Sequence, residues 1–374
     1  MKNNKKAEIY IHVPFCARKC AYCDFVSFVE DDDTKKAYFD ALKKEIIKKT
    51  ESIGKIPVDS VFFGGGTPSL VDERLILSTM DTIRDVFLLE PDAEITMEMN
   101  PDSVKESKLK AYREAGINRV SLGLQSTDND ELKLLSRIHD YETFLRAYEA
   151  VRTEGFNNVN IDLMSGLPGQ DADKFKKTLE RVIALKPQHI SAYSLIIEEN
   201  TLFYDKYKDG MGLPTEDTDR EIYHMTGDVL KSAGFLRYEI SNYALPGYEC
   251  RHNIGYWTRK DYLGFGIAAA SLYENVRFSH TGNLKDYING NYTQEKEVLS
   301  KLDQMEEFMF LGLRLIKGVF KDEFKQEFNE SMDSVYGSEL VKLEKEGLIV
   351  NSDRVYLTEL GLDLANYAMS QFIK

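Results

Sequence analysis

The first half of the chain alternates between short, nearly continuous hydrophobic runs and longer segments with helical spacing. The short runs are EIYIHV from Glu8, DSVFFGGG from Asp59, EITMEMN from Glu94, RVSLGLQ from Arg119, NVNIDLMSGLPG from Asn158 and HISAYSLI from His189. Nearly continuous apolar runs are typical of parallel β-strands that are covered on both faces. We therefore predict six strands in one parallel sheet.

The segments between these runs have the spacing of amphipathic helices. After the second run, apolar side chains recur every three or four positions, at Ile76, Met80, Ile83 and Phe87. This spacing places them on one helix face, and Asp72 is suited to cap the helix N-terminus. The segment after the fifth run predicts a helix with apolar residues at Phe175, Leu179, Val182 and Ile183.

Strand and helix units that alternate in this way predict right-handed crossovers, in either a doubly wound sheet or a barrel. Unusual polar residues follow the strands at one end: a cysteine loop, GGGTP, Glu98, Gln125, Asp162 and Ser194. In barrel enzymes the carboxyl ends of the strands hold the active site. We therefore predict a partial (β/α)6 TIM-like barrel within the α/β class.

The pattern changes near Ser300, and three segments are expected. We predict a barrel core over residues 1–235, an extension over 236–299 and a small C-terminal domain over 300–374. The last segment contains an amphipathic helix at MEEFMFLGLRLIKGV and then a helix, a hairpin and a helix. This order is typical of a winged-helix-like α+β module. Since it lacks a basic recognition face, we interpret it as a lid or packing domain.

Composition excludes several classes of partner and location. The formal net charge of −14 argues against nucleic acid, because phosphate binding needs concentrated Lys and Arg. No apolar stretch is long enough to span a bilayer, and the N-terminus lacks the apolar core of a signal peptide. We therefore expect a cytoplasmic protein whose thiols are reduced. A homodimer and peripheral membrane contact are left open.

Three of the four cysteines lie together in FCARKCAYCDF, at Cys16, Cys20 and Cys23. Such a loop could hold buried thiols, or a zinc ion completed by His12 or Asp24. A 4Fe-4S cluster fits the spacing better, because thiolates hold such clusters and three ligands leave one iron open. Aromatic residues flank the loop and would limit the access of water to the cluster.

The CARKCAYC stretch, C-x3-C-x2-C, resembles the cluster loop of the radical S-adenosylmethionine (SAM) superfamily. This resemblance implies that SAM occupies the open iron and is cleaved to a 5′-deoxyadenosyl radical when the cluster is reduced. FGGGTP, from Phe63 to Pro68, resembles the stretch of the superfamily that holds the methionine end of SAM. On its own, this glycine run would be read only as a tight turn.

The resemblance extends over nearly the whole chain to the oxygen-independent coproporphyrinogen III oxidase family. It is carried by IYIHVPFC, CDF, FGGGTPS, RVSLGLQS, NIDLMSGLPGQ and the C-terminal module. It implies that SAM is bound at Tyr10, Gly65, Gly66, Thr67, Glu98, Gln125, Arg137 and Asp162. Ser194 and Ala270 match two further pocket positions of the family, where the side chains differ.

Two departures separate this chain from the true oxidases, which have a further cysteine where Phe25 stands and a long N-terminal arm. CRHNIGYW contains His252, Asn253, Tyr256 and Trp257 and matches the H-N-x-x-Y-W motif of HemW heme chaperones. The match implies heme binding at His252 and Tyr256, and Cys250 could also reach the iron. The atom that binds the iron is left open.

We therefore predict a radical SAM heme chaperone that carries a 4Fe-4S cluster, SAM and heme and delivers heme to acceptor hemoproteins. The alternative is a radical SAM oxidoreductase in porphyrin biosynthesis, which decarboxylates coproporphyrinogen III. A related methyltransferase acting on heme is a third interpretation. Whether the chain is an enzyme is left open at this stage.

Overall fold

The computed structural model describes residues 6–374, and twelve of its strands form one sheet. These strands are β1 (Ala7–Val13), β2 (Pro57–Gly65), β3 (Leu88–Met99), β4 (Arg119–Gln125), β5 (Val159–Ser165), β6 (His189–Ser194), β7 (Leu236–Arg237), β8 (Asn242–Ala244), β9 (Tyr262–Phe265), β10 (Ala270–Tyr273), β11 (Val276–His280) and β12 (Thr293–Val298). A smaller sheet contains β13 (Val319–Phe320), β14 (Ile349–Asn351) and β15 (Arg354–Leu357).

Helices connect the strands throughout the chain, and two short 3-10 helices, Pro68–Leu70 and Pro101–Ser103, follow β2 and β3. The α-helices are α1 (Asp32–Ile53), α2 (Glu73–Val86), α3 (Glu106–Glu114), α4 (Asn129–Leu134), α5 (Tyr141–Thr153), α6 (Ala172–Ala184), α7 (Leu202–Tyr207), α8 (Glu216–Ser232), α9 (Arg251–Trp257), α10 (Leu284–Ile288), α11 (Lys301–Gly312), α12 (Lys321–Phe328), α13 (Met332–Lys345), α14 (Glu359–Asp363) and α15 (Ala365–Ser370).

The centre of the large sheet confirms the predicted parallel α/β fold. Strands β1 to β6 lie side by side in chain order, and each adjacent pair is parallel. Their carboxyl ends therefore meet at one edge, as the barrel prediction requires. Within the described residues, β12 and β7 are the two outer strands and do not pair with each other, so the barrel is open.

Helix α2 shows how the apolar spacing becomes local structure. The Asp72 side chain accepts a hydrogen bond from the Arg74 backbone N–H at 2.9 Å, as predicted for an N-cap. Ile76, Met80 and Ile83 are buried against the sheet. Phe87 is also buried, although the helix ends one residue before it. The apolar face therefore extends one position beyond the helix.

Residues 236–299 add strands to both ends of the central sheet. On one side β8 pairs with β6 in the antiparallel direction. On the other side β9 pairs with β1 in the parallel direction, with Glu8 opposite Tyr262 and Ile11 opposite Phe265. Strands β10 to β12 continue from β9 as an antiparallel meander. This segment therefore shares one sheet with the residues before it.

The C-terminal residues have a hydrophobic core of their own. Helix α11 begins at Lys301 and is capped by Ser300, whose side chain and that of Asp303 form a reciprocal capping box. Apolar side chains from α11 to α15 pack around the β13–β15–β14 sheet. The predicted order of helix, hairpin and helix is found in α13, the β14–β15 pair and α14. No helix within residues 6–374 is both long and apolar enough to cross a bilayer.

Candidate radical SAM site and neighbouring cavity

The cysteine loop begins three residues after β1 and is fixed at both ends by backbone hydrogen bonds. The N–H of Cys16 donates to the carbonyl of Phe28 at 3.0 Å, and the N–H of Phe28 donates to the carbonyl of Pro14 at 2.7 Å. In the middle of the loop, the Ala21 N–H donates to the Leu135 carbonyl at 3.2 Å. These bonds hold an irregular segment against the carboxyl ends of the strands.

A small hydrophobic cluster packs against the cysteine loop. Its buried members are Ala21, Leu135, Met164, Leu167, Phe203 and Tyr207, and the half-buried Tyr22 packs against them. These residues come from β5 itself and from the segments that follow β1, β4, β5 and β6. The loop is therefore positioned by the barrel, which is how a site on irregular backbone acquires defined geometry.

All three loop cysteines are free thiols and are partly exposed. Burial raises the pKa of Cys16 and of Cys23 above its usual range, so these thiols need a cation to be stable as thiolates. Cys16 Sγ also forms a hydrogen-bonding contact of 3.6 Å with Thr67 Oγ1, which lies directly after the glycine run. Three thiols on a supported, accessible loop fit the donor set of an iron–sulfur cluster.

The alternative of a zinc ion completed by His12 is disfavoured by the hydrogen bonds of its ring. Nδ1 of His12 lies 3.1 Å from the Tyr10 hydroxyl, and Nε2 lies 2.9 Å from the Val26 carbonyl. Both ring nitrogens are thus engaged, and burial lowers the pKa of His12. Within residues 6–374, no three His, Cys, Asp or Glu side chains surround one metal-ion position.

The glycine run forms the end of β2 and continues to Gly66, and it packs directly against the start of the cysteine loop. The Gly66 N–H donates to the Val13 carbonyl at 2.9 Å, and the Thr67 N–H donates to the Phe15 carbonyl at 2.8 Å. A Cβ on Gly66 would lie 2.8 Å from the backbone N and O of Phe15. Gly65 has φ of +108°, a conformation that side chains disfavour. Glycine is therefore required here by close backbone approach.

Arg137 connects three of the strand ends. Its Nη2 donates to Asn100 Oδ1 at 2.7 Å and to the Gly123 carbonyl at 2.8 Å, while Nη1 lies 3.6 Å from Cys20 Sγ. Asn100 also donates to Thr67 Oγ1 at 2.7 Å. The guanidinium is thus a fixed cation beside the cysteine loop. Asn100 was not among the predicted site residues, and its position directly after β3 was the available signal.

Glu98 and Gln125 lie at the ends of β3 and β4, as predicted. Glu98 accepts a hydrogen bond from the Gly65 N–H at 3.1 Å. Burial, with a smaller effect of Asp162, raises the pKa of Glu98 to about 8. Gln125 has φ of +73° and accepts a hydrogen bond from the Tyr193 hydroxyl at 2.9 Å. Both side chains therefore have defined orientations at the barrel mouth.

The raised pKa of Glu98 predicts a pH-dependent stability. The native state holds a proton between the ordinary pKa of 4.5 and about 8, so stability should fall as pH rises through that interval and level off above it. Glu98→Gln should remove part of this fall. Denaturant unfolding at pH 6 and pH 8, without SAM, measures the effect, with the exposed Glu344→Gln as the control. Equal pH dependence in Glu98→Gln and the parent protein would contradict it.

Asp162 lies within β5 rather than at its end, deeper than the sequence suggested. It accepts hydrogen bonds from Ser121 Oγ at 2.9 Å and from Asn160 Nδ2 at 2.7 Å, and burial raises its pKa. Ser194 ends β6 and donates to Asp219 Oδ1 at 3.0 Å. The polar residues thus lie at two depths in the barrel: Glu98, Gln125 and Ser194 at the carboxyl ends of the strands, and Asp162 further inside.

The H-N-x-x-Y-W stretch forms helix α9, which brings His252 and Tyr256 together as the spacing predicted. His252 is 1% exposed, and its ring stacks on Phe62 with a centroid separation of 5.1 Å. Nδ1 lies 2.8 Å from Ser60 Oγ and Nε2 lies 3.0 Å from the Tyr256 hydroxyl. Burial lowers the pKa of His252 to about 3. The imidazole is therefore neutral, and both of its nitrogens are occupied.

Cys250, the third residue considered for the iron, is also enclosed. It is fully buried, and its Sγ donates to Glu94 Oε1 at 3.5 Å. Burial raises its pKa well above the usual range for a thiol. Tyr256 differs from both His252 and Cys250 because it is partly exposed and lines a cavity.

This cavity, which we call the inner cavity, has a volume of about 540 Å³. It is bounded by α9, by one face of the β9–β11 strands and by the residues that follow Cys23. Its aromatic and small lining residues include Tyr10, Phe25, Tyr256, Trp257, Ala269 and Ala270. Arg277 also lines it and pairs with Glu307 at 2.7 Å. The cavity therefore joins the cysteine-loop segment to the H-N-x-x-Y-W helix.

Comparisons with known proteins agree with this site. Residues 10–182 match the radical SAM superfamily, and residues 299–364 match the HemN C-terminal domain family. The solved structure of the Escherichia coli coproporphyrinogen III oxidase HemN, described as a radical SAM enzyme, superimposes with a TM-score of 0.87 and 25% identity. The match covers 100% of this chain and 91% of the HemN chain. The fold and the cysteine loop thus define a radical SAM protein.

Within that superfamily the chain belongs to the HemW family. It is 36% identical to "Heme chaperone HemW" of Bacillus subtilis, over 97% of this chain and 98% of that protein. It is 35% identical to the protein of the same name from Escherichia coli, over 84% of each chain. These matches confirm the family to which the sequence motifs pointed.

Proposed function

We propose that this chain is a heme chaperone that carries a 4Fe-4S cluster and SAM, binds heme and delivers it to acceptor hemoproteins. The observation that carries the proposal is the inner cavity, where the H-N-x-x-Y-W helix faces the segment after Cys23. The names of the HemW relatives support heme as the cargo. The cavity is largely apolar and aromatic, which suits a flat hydrophobic macrocycle.

Cys16, Cys20 and Cys23 are the proposed cluster ligands, and the residues proposed for SAM come from β1 to β5 and the segments that follow these strands. The proposed SAM set is Tyr10, Gly65, Gly66, Thr67, Glu98, Gln125, Arg137 and Asp162. When bound, the cluster and SAM supply one-electron redox chemistry. Arg137 provides a positive charge beside Cys20, and the glycine run adds no side-chain bulk next to the loop. The donor set and the cradle thus fit both groups.

Tyr256 is the residue that we propose to face the heme iron, and His252 is proposed to position it. Tyrosine oxygen is a known axial ligand of heme. His252 has no free ring nitrogen in the described structure, because Ser60 and Tyr256 occupy both. The hydrogen bond between His252 Nε2 and the Tyr256 hydroxyl fixes the orientation of the Tyr256 phenol in the inner cavity. Arg277 lines the cavity and is paired with Glu307 through Nη2, and its remaining N–H groups suit a heme propionate.

Ferric heme titrations test this assignment. Tyr256→Phe should weaken heme binding by roughly ten-fold, equivalent to about 1.4 kcal/mol, and should change the visible spectrum of bound heme. His252→Gln should alter the spectrum less, since it acts through Tyr256. Tyr262→Phe is the matched control, because Tyr262 lines the same cavity and packs on Tyr256 with a centroid separation of 4.7 Å. An unchanged spectrum in Tyr256→Phe would assign the iron to another ligand.

The function itself is tested by transfer. Heme-loaded protein should pass heme to an apo-hemoprotein, which is followed by the recovery of the acceptor's absorbance. The competing function is coproporphyrinogen III decarboxylation, which the likeness to HemN brings into consideration. Protein with a full cluster, SAM and reductant should form no protoporphyrinogen IX under anaerobic conditions. Many turnovers per protein would replace the chaperone proposal with an enzymatic one.

A further inference from the structure

The strands that bound the inner cavity have a second face, and a separate cavity lies on it. Tyr262, Ala270 and Arg277 point to the inner cavity, whereas their neighbours Leu263, Ser271 and Phe278 line the other side. This alternation follows from the two-residue period of β-strands. The second cavity has a volume of about 490 Å³ and lies between these strands and α1. We call it the outer groove.

The outer groove has an apolar floor and a cationic rim. Leu263, Phe265 and Phe278 provide apolar surface, while Lys48 and Lys49 come from α1 and Lys296 comes from β12. Nζ of Lys49 lies 4.0 Å from the centroid of the Phe278 ring. Among residues 6–374, none of the three lysines forms an ion pair. The groove is therefore a local cationic patch on a chain whose net charge is −14.

The acidic residues of the groove offset the positive charge of these lysines only in part. Glu45 is buried, and its carboxylate is already taken by His280 Nε2 at 2.5 Å, the Gly266 N–H at 3.2 Å and the Tyr287 hydroxyl. Glu274 also lines the groove and is exposed. Burial and the nearby Lys296 lower the pKa of Lys49. Placing an anion in the groove would relieve the repulsion between these lysines.

We infer that the outer groove binds a small amphipathic anion, with its apolar body on Phe278 and Leu263 and its acidic group between Lys49 and Lys296. The volume is that of a small-molecule site, and an apolar lining with a few charged groups is the usual composition of such sites. Because the groove and the inner cavity share one layer of strands, the bound anion contacts the back of the inner cavity wall. This site is independent of the proposed heme function.

The fluorescent aromatic sulfonate 8-anilinonaphthalene-1-sulfonate is a suitable probe for the full-length protein. Replacing Lys49 and Lys296 together with glutamine should weaken binding of the probe roughly ten-fold. Lys44→Gln is the matched control, because Lys44 is exposed on α1 and does not line the groove. Ser52→Trp should block the groove from its exposed rim without a change in the core, which circular dichroism verifies.

The outcomes distinguish specific binding in the outer groove from nonspecific binding of the probe, and they identify the chemical class of the natural anion. Displacement of the probe by 1-naphthoate would indicate an aromatic carboxylate, and displacement by dihexanoyl phosphatidate would indicate a lipid headgroup. The uncharged N-phenyl-1-naphthylamine should bind more weakly than the sulfonate. Equal affinity in the parent, the double variant and Ser52→Trp would overturn the inference. An equal loss in Lys44→Gln would overturn it as well, since only net charge would then matter.

Discussion

Replacing Cys16 with alanine should abolish assembly of the proposed 4Fe-4S cluster. Cys16 is the first of the three loop thiols, its backbone N–H is bonded to the Phe28 carbonyl, and its Sγ lies beside Thr67. Removing one of three protein ligands leaves two irons of the cluster without thiolates, and such a cluster is not retained. After anaerobic reconstitution, iron and sulfide per chain should fall to near the background level. The broad visible absorbance should disappear with them.

Cys250→Ala is the matched control for this experiment. Cys250 is the fourth cysteine. It is buried as the N-cap residue of α9, and its thiol is hydrogen-bonded to Glu94, away from the cysteine loop. Its replacement should leave iron, sulfide and absorbance unchanged. Full iron and sulfide in Cys16→Ala would refute the ligand assignment. A loss in Cys250→Ala, with folding intact, would mean that the fourth cysteine also takes part.

Gly66→Ala should displace the cysteine loop and lower the free energy of unfolding by about 2 to 3 kcal/mol. The added Cβ would meet backbone atoms of Phe15 at 2.8 Å and the Val13 carbonyl at 2.9 Å. Backbone cannot rotate away as the end of a side chain can, so the glycine run must separate from the loop. Binding of SAM to reconstituted protein should weaken by roughly a hundred-fold, because the proposed cradle no longer closes.

Gly337→Ala provides the comparison. Gly337 lies in α13, and a Cβ there would meet nothing within 4 Å. Because alanine favours helix over glycine, this variant should be equal to or slightly more stable than the parent. Unfolding by denaturant measures stability, and equilibrium dialysis measures SAM binding. Parental stability in Gly66→Ala would show that the loop can move apart at little cost, contrary to our expectation.

The sequence alone predicted the central fold well, because its signals are local. The run RVSLGLQ is apolar at every other position. It forms β4, which is buried throughout. The Asp72 cap and the apolar face of α2 were equally readable. Strand and helix alternation then limits the topology to parallel crossovers. Each of these inferences uses residues that are near one another in the chain.

Pairings between distant segments were not predictable in this way. Nothing near Tyr262 indicates that β9 pairs with β1, and therefore the outer groove could not be anticipated. The depth of Asp162 within β5 was also missed, since a motif locates a residue in sequence but not along the barrel axis. The motif likewise marked His252 as a candidate for heme without indicating that Ser60 and Tyr256 occupy its ring.

Because β1 pairs with both β2 and β9, the part of the sheet around β1 cannot finish folding until the ribosome has synthesised β9. Glu8 pairs with Ser60 on one side and with Tyr262 on the other. At about 5 to 20 residues per second, β9 is made roughly 10 to 50 seconds after β1. During that interval one edge of β1 lacks its partner, and an open edge invites aggregation. Synthesis thus completes the cysteine loop and the glycine run before it reaches β9 to β11, the strands that bound the inner cavity.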